Sequence, residues 1–206
     1  MALTHRPHLS TAQDPRAVHT RQVMRRALLD LLERKPLDQI TIRDITAAAG
    51  IGYVTFFRHH PTKEALLHEI AAEQVRQLTE LMLPALDASE THTASVALCT
   101  YVNEHRKLWS TLLTGGAAGV LREELLKEAA EVAATRSNPK NWFPPELAVA
   151  FNVSCTIELL TWWLRQTRPV PMERVAEIHA RIIMTPSIEA DRHWTQRLKM
   201  KRNKHR

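Results

Sequence analysis

Residues 40–67 read ITIRDITAAAGIGYVTFFRHHPTKEALL, and this stretch decides the fold. A short segment ends in three alanines at residues 47–49, Gly50 follows, and a second short segment runs from Tyr53 to His60 before Pro61. Small residues let two helices cross closely, and a glycine after a helix end favours the left-handed conformation that stops the helix. The pattern predicts a helix-turn-helix whose second helix carries polar and aromatic residues on its outer face.

Two capping signals set the helix starts in this stretch. Thr41 and Asp44 have the spacing of a capping box, so we expect the first helix of the motif to begin at Thr41. Thr62 is the expected N-cap of the next helix, because Lys63-Glu64 follow it. This helix is predicted to continue to Pro84.

The rest of the sequence is also helical in pattern. Only five glycines occur in 206 residues, and strand-like alternation is hard to find. Residues 21–34 predict a helix before the motif, and residues 1–20 predict a flexible arm. Further helices are expected near residues 91–104, 105–113, 118–134, 145–166 and 171–184. We therefore predict an all-α protein.

Charge divides the chain into segments of different character. Net charge is +3 over residues 1–69, −3 over residues 70–190 and +6 over residues 191–206. The basic ends of the chain suit binding to an anionic polymer, whereas the mildly acidic middle suits a different role. We predict a DNA-binding domain over residues 21–67, a helical regulatory and dimerisation domain over 68–190 and a basic tail over 191–206. The tail is either a solvated terminus or an additional nonspecific DNA contact.

Residues 40–67 and the helix before them resemble the TetR family of bacterial transcriptional regulators. The family pattern is similar to T-x-R-D-I-A-x-A-A-G-V-S-x-G-T-x-Y-x-H-F-x-S-K-E-x-L. Four positions depart from it: Gly52 replaces a serine cap, Val54 a small residue, Phe57 a tyrosine and His60 a phenylalanine. Because these positions lie in or beside the second helix, the operator sequence cannot be carried over from relatives.

The resemblance implies a DNA-reading role for the motif. The second helix would enter the major groove of double-stranded DNA, at two half-sites of a palindromic operator. Arginines here could instead be solvated charges, and the aromatic residues could be packing residues. The residues expected to contact DNA are Thr41, Arg43, Tyr53, Val54, Thr55, Phe57, Arg58, His59 and Lys63.

The resemblance also implies a homodimer and a small-molecule effector. The helices near 145–166 and 171–184 would pack against their copies, and a remaining face would line an apolar pocket. If Glu158 is buried without a protein partner, a lipophilic cation becomes the expected ligand. Candidate pocket residues are Tyr101, Trp109, Trp142, Phe151, Cys155, Glu158 and Trp162.

Other classes of function have less support in the sequence. No nucleophile–base pairing or glycine-rich phosphate loop occurs, so we expect no enzyme and no cofactor. His59, His60 and His68 lack metal-ligand spacing. Cys99 and Cys155 suit small core residues in a reducing cytoplasm.

Residues 147–164 are long enough to span a membrane but carry Glu158, which favours a buried helix. We expect a ligand-relieved repressor, with no membrane partner. The alternative is a helical small-molecule-binding or enzymatic protein with a vestigial DNA-binding domain.

Overall fold

A computed structural model of the chain describes residues 15–136 and 143–187. This part of the chain is helical and contains no strand, so the all-α prediction is confirmed. The helices are α1 (Pro15–Leu32), α2 (Ile42–Ala49), α3 (Tyr53–His59), α4 (Lys63–Asp87), α5 (Thr91–Glu104), α6 (Arg106–Thr114), α7 (Ala118–Arg136), α8 (Pro145–Arg165) and α9 (Met172–Ile178). A 3-10 turn, Leu37–Gln39, precedes α2, and a π-helical segment, His179–Met184, continues α9.

The chain divides into two compact units, residues 1–67 and residues 68–206. The division falls inside α4, after Leu67. Three predicted features lie outside the described residues: the arm over its first fourteen residues, Trp142 and the basic tail over 191–206.

The N-terminal unit is a small helical domain with an apolar core. Phe56 of α3 is completely buried. Removing a buried phenylalanine ring typically costs about 3–5 kcal/mol, so this side chain holds α3 in the domain. The other core side chains of the unit come from α1, α2, the start of α4 and the turn before α2: Met24, Leu28, Leu32, Ile40, Ile45, Leu66 and Leu67.

The predicted capping box is present at the start of α2. The Thr41 hydroxyl accepts from the Asp44 backbone N–H at 3.1 Å, and the Asp44 carboxylate accepts from the Thr41 N–H at 2.9 Å. Lys35 donates to the same carboxylate at 2.8 Å. The hydrogen bond from Lys35, followed by those from Thr41, lowers the pKa of Asp44 to about 2. Asp44 therefore stays ionised, and the cap stays intact, across the physiological range.

Gly50 ends α2 as expected. Its φ of 66° and ψ of 30° lie in the left-handed region, where a side chain is costly. Its N–H donates back to Ala47 at 3.3 Å, and the Ile51 N–H donates to the Thr46 carbonyl at 3.0 Å. This reversal sets the turn between the two helices of the motif.

Two helix boundaries differ from the sequence prediction. Residues 15–20 belong to α1 and not to a flexible arm, because Pro15 supplies a helical φ at the first position, where no N–H is needed. Helix α4 passes through Pro84 and ends at Asp87. Pro84 lies in the last turn of α4. Its ring has no N–H to donate to the carbonyl four residues earlier, and the helix ends three residues later.

In the C-terminal unit, α5, α6, α8 and α9 enclose an apolar core. Helix α8 is buried along one side only, through Val153, Leu160, Trp163 and Leu164. Leu147, Phe151 and Trp162 are exposed on the same helix. Among the described residues, α8 is the helix that is long and apolar enough to cross a membrane. Within one chain, the described residues therefore cover α8 on one side.

A buried histidine ties three elements of this unit together. His179 Nδ1 lies 2.8 Å from Ser95 Oγ of α5, and its Nε2 lies 2.9 Å from Thr156 Oγ1 of α8. Burial lowers the pKa of His179 to about 4. The imidazole is therefore neutral near pH 7, and its two nitrogens share hydrogen bonds with two hydroxyls.

Candidate nucleic-acid interface

The outer face of α3 is exposed and chemically mixed. Tyr53 is 51%, Val54 67% and Phe57 45% exposed. Arg58 is exposed, while Thr55 and His59 are half-buried. Such large exposed apolar side chains on a seven-residue helix are unusual on a surface that meets only water. This surface, residues 53–55 and 57–59, is called the α3 face below.

The two exposed aromatic rings of α3 contact each other. Tyr53 and Phe57 lie with ring centroids 5.2 Å apart at an interplanar angle of 68°. Phe57 also packs edge-on against the buried Phe56, at 5.6 Å. Edge-to-face contacts restrict the rings, so the aromatic part of the α3 face is preorganised.

Two cations, one beside this face and one on it, have no carboxylate partner in the described part of the chain. Arg43 of α2 and Arg58 of α3 are exposed, and no described carboxylate lies within ion-pair distance of either guanidinium. Thr41 is exposed as well, and its hydroxyl keeps a proton to donate after accepting from Asp44. Unpaired guanidinium groups and hydroxyl donors are the groups that bind phosphate oxygens.

Lys63 is placed differently from these donors. Its ammonium lies 2.7 Å from the Leu37 carbonyl, 2.6 Å from the Ile40 carbonyl and 3.4 Å from that of Asp38. An ammonium has three protons to donate, and these three carbonyls can accept all of them. Lys63 thus ties the 3-10 turn to the start of α4, and a phosphate contact would have to displace one of these bonds.

Helix α3 begins without a side-chain cap. Gly52 occupies the cap position, and its carbonyl accepts from the Thr55 N–H at 2.9 Å. His60 ends the helix and is buried, with its ring 6.1 Å from that of Phe56. This burial indicates a packing role for His60.

The described candidate pocket residues differ in their exposure. Tyr101 and Trp109 are buried and contact each other edge to face, at 6.2 Å between centroids. Phe151, Glu158 and Trp162 are exposed, and Cys155 is half-buried. A lipophilic cation is expected only if Glu158 is buried, and Glu158 is exposed in the single chain.

Sequence reasoning missed the polar groups inside the C-terminal unit. The Tyr101 hydroxyl lies 3.0 Å from the side-chain oxygen of Gln74 and 2.7 Å from that of Gln77, and its single proton is donated to one of them. Arg106 reaches the end of α8, and His179 joins α5 to α8. These partners lie far apart in sequence, so no local spacing indicates them. In the described part of the chain, no three His, Cys, Asp or Glu side chains are grouped to hold a metal ion.

Comparison with known proteins identifies the N-terminal motif. Residues 25–70 match the model of a family described as bacterial regulatory proteins, tetR family. Over 78 residues the chain is 33% identical to YxbF, an uncharacterized HTH-type transcriptional regulator of Bacillus subtilis (strain 168). The match covers 37% of this chain and 20% of YxbF, so it spans about a fifth of that relative's length.

Solved structures share the fold over most of the chain. A TetR transcriptional regulator from Streptococcus agalactiae 2603V superposes with a TM-score of 0.61 at 21% identity, over 82% of this chain and 96% of that one. FadR of Thermus thermophilus, a TetR-family repressor solved in complex with lauroyl-CoA, superposes with a TM-score of 0.52 at 16% identity. That superposition covers 79% of this chain and 92% of FadR. The predicted resemblance of the helix-turn-helix region to the TetR family is confirmed over residues 25–70.

Proposed function

We propose, from the premise that residues 25–70 belong to the tetR family of bacterial regulatory proteins, that this protein is a dimeric repressor whose operator binding is relieved by a small molecule. The observation that carries the proposal is the α3 face, with Tyr53 and Val54 exposed at the start of a helix of the size that fits the major groove. The protein would act in the cytoplasm, where its DNA is.

Each exposed group of the α3 face suits a specific kind of contact. Val54 and the Tyr53 ring suit thymine methyl groups, and Thr55 can hydrogen-bond a base edge. Arg58 suits a guanine or a phosphate, and Arg43 and Thr41 suit phosphates at the start of α2. Phe57 and His59 would lie along the backbone. Lys63 would contribute mainly through the turn that it holds.

The dimer is proposed from the exposed apolar side of α8 and the segment after α9. Leu147, Phe151, Trp162 and Ile182 are 45–67% exposed, and large apolar patches of this kind mark interfaces. A second copy of the chain would cover them and bury Glu158. Two copies would place their α3 helices about 34 Å apart, one turn of DNA.

DNA binding is tested with fragments of the chain's own promoter region in a fluorescence anisotropy titration. We expect saturable binding to at least one fragment, weakened about tenfold or more by Tyr53→Ala with Arg58→Ala. Gln22→Ala, at an exposed site on α1, serves as the control that leaves binding unchanged. Retention of full affinity by the double variant would favour a vestigial DNA-binding domain.

The dimer is tested separately by sedimentation velocity. Phe151→Glu with Trp162→Glu places two charges on the exposed side of α8, so we expect a monomer where the parent chain sediments as a dimer. Glu131→Lys, a charge change at an exposed site on α7 outside the two proposed interface helices, is the matched control. A parent chain that is monomeric at micromolar concentration would contradict the dimer.

A further inference from the structure

Helix α6 carries two buried hydrogen-bond donors that have no acceptor among the described residues: Arg106 Nη1 and Trp109 Nε1. Buried donors in folded proteins are almost always paired, so two on one short helix require an explanation. Neither residue belongs to the α3 face, and Arg106 was not indicated by any local sequence pattern.

Arg106 is held firmly by its other contacts. Its Nη2 donates to the Trp163 carbonyl at 2.9 Å and reaches the Leu164 carbonyl at 3.5 Å, at the last turn of α8. Its guanidinium carbon lies 5.1 Å from the centroid of the Trp163 ring, in a cation–π contact. One nitrogen and the flat face are therefore committed, while Nη1 remains a fixed, buried donor.

Trp109 supplies the second donor from the same side of the helix. The residue has no exposed surface, and its ring packs edge-on against Tyr101. Residues three apart share a helix face, and helical side chains lean toward the N-terminus. Arg106 and Trp109 therefore share one face of α6, near its first turn.

The positive charge at this turn is only partly offset, by the partially negative carbonyl end of α8. The N-terminal end of a helix carries a partial positive charge, and the guanidinium of Arg106 adds a full one. The described residues place no carboxylate within ion-pair distance of Arg106. Arginine and the indole N–H are donors only, so the group that would satisfy both must be an acceptor, and a negative charge would suit it best.

We propose that the first turn of α6 binds the anionic head group of a small-molecule ligand, with Arg106 Nη1 and Trp109 Nε1 donating to it. Tyr101 packs against Trp109, and the Trp163 ring packs against the Arg106 guanidinium, so aromatic rings lie beside both donors and the body of the ligand is apolar or aromatic. The inference deepens the proposed function by naming the effector's chemical class, and it rests on that function for the ligand's regulatory role.

The test compares head groups on matched bodies. Decanoate and 1-naphthoate are each titrated into the full chain alongside 1-decanol, 1-naphthalenemethanol and decyltrimethylammonium, with binding followed by calorimetry. We expect at least one carboxylate to bind about tenfold or more tighter than the matched alcohol, because charge-assisted hydrogen bonds are the stronger kind. The cation is expected to bind most weakly.

Variants assign that preference to the two donors. Arg106→Gln should remove the advantage of the carboxylate over the alcohol, and Trp109→Phe, which keeps an aromatic ring, should weaken carboxylate binding severalfold. Arg165→Gln, an exposed charge at the end of α8, is the matched control and should change neither value. If Arg106→Gln lowers the melting temperature too far for titration, Trp109→Phe decides alone.

Three results would overturn the proposal: no carboxylate binds up to its solubility, the alcohols bind as tightly as the carboxylates, or Trp109→Phe leaves carboxylate affinity unchanged. DNA binding measured on the same samples without ligand separates this failure from that of the proposed function. Intact DNA binding without a carboxylate preference would overturn the anion site alone.

Discussion

The two units of this chain are built by different kinds of contact. In the N-terminal unit, the side-chain contacts that start α2 are local: Thr41 with Asp44, and Lys35 with the same carboxylate nine residues away. Lys63 reaches further, to Leu37 across 26 residues. In the C-terminal unit, His179 bonds to Ser95 across 84 residues of sequence, and Arg106 to Trp163 across 57. Local contacts fix the start and end of a helix, whereas distant ones fix which helices pack together.

The largest effect is expected at the one side chain of α3 that is fully buried. Phe56→Ala should lower the free energy of unfolding of the N-terminal unit by about 3–5 kcal/mol, because it leaves a cavity under α3. DNA binding should fall with it. Urea unfolding followed by circular dichroism measures the loss.

Phe57→Ala is the matched control, since the neighbouring ring is 45% exposed. Its effect on unfolding should stay near 1 kcal/mol or less, while its effect on DNA affinity should remain. Equal destabilisation by the two alanine variants would contradict the division of α3 into a buried and an outer side.

The buried imidazole of the C-terminal unit predicts a stability that depends on pH. The folded pKa of His179 is about 4 and the unfolded value is 6.5, so between these values the unfolded chain binds more protons. Stability should therefore rise with pH across this window and be lost as pH falls from 6.5 toward 4. The loss amounts to about 3 kcal/mol at most.

Thermal melts of the parent chain and of His179→Gln from pH 4 to 7.5 measure this contribution. The glutamine variant should be less stable at pH 7 but should lose less stability on acidification. His92→Gln, at an exposed site on α5, is the control that keeps the parent's pH dependence. A slope that His179→Gln leaves unchanged would assign the acid sensitivity to other groups.

Local signals explain how far the sequence predicted each unit. The Thr41–Asp44 cap and Gly50 each act on residues within a few positions, so their spacing alone predicted the bounds of α2. The path of α4 through Pro84 was not predicted, because a proline removes a helix hydrogen bond and usually ends or kinks the helix. The role of Arg106 could not be predicted, since its partner carbonyls at the end of α8 become neighbours only after folding.

Lys63 offers a smaller test, which separates a phosphate contact from a structural one. Lys63→Met should destabilise the N-terminal unit by about 1–3 kcal/mol, since it leaves the Leu37 and Ile40 carbonyls without their donor. The salt dependence of DNA binding should be unchanged. Arg58→Met should instead reduce the slope of log affinity against log salt by about 0.9, with little effect on unfolding.

Anisotropy titrations at several salt concentrations, on both variants, decide between these roles. The comparison must use DNA affinities at temperatures where Lys63→Met is folded, as monitored by circular dichroism. A reduced slope in Lys63→Met with normal stability would make Lys63 a phosphate ligand, and the carbonyl contacts secondary.

The smallest effect concerns the missing cap of α3. A Cβ at Gly52 would meet only the Thr55 hydroxyl, at 3.6 Å, and the backbone φ of −69° suits any residue. Gly52→Ser should therefore add an acceptor for the first turn and stabilise the N-terminal unit by a few tenths of a kcal/mol.

Gly52→Ala is the matched control, because alanine reduces backbone freedom in the same way but offers no oxygen. Urea unfolding without DNA should rank serine above glycine and glycine above alanine. If alanine stabilises as much as serine, backbone entropy explains the gain, and α3 depends on Phe56 and its packing instead of on its own cap. In that case even this local element of the motif is held mainly by tertiary contacts, as the helices of the C-terminal unit are.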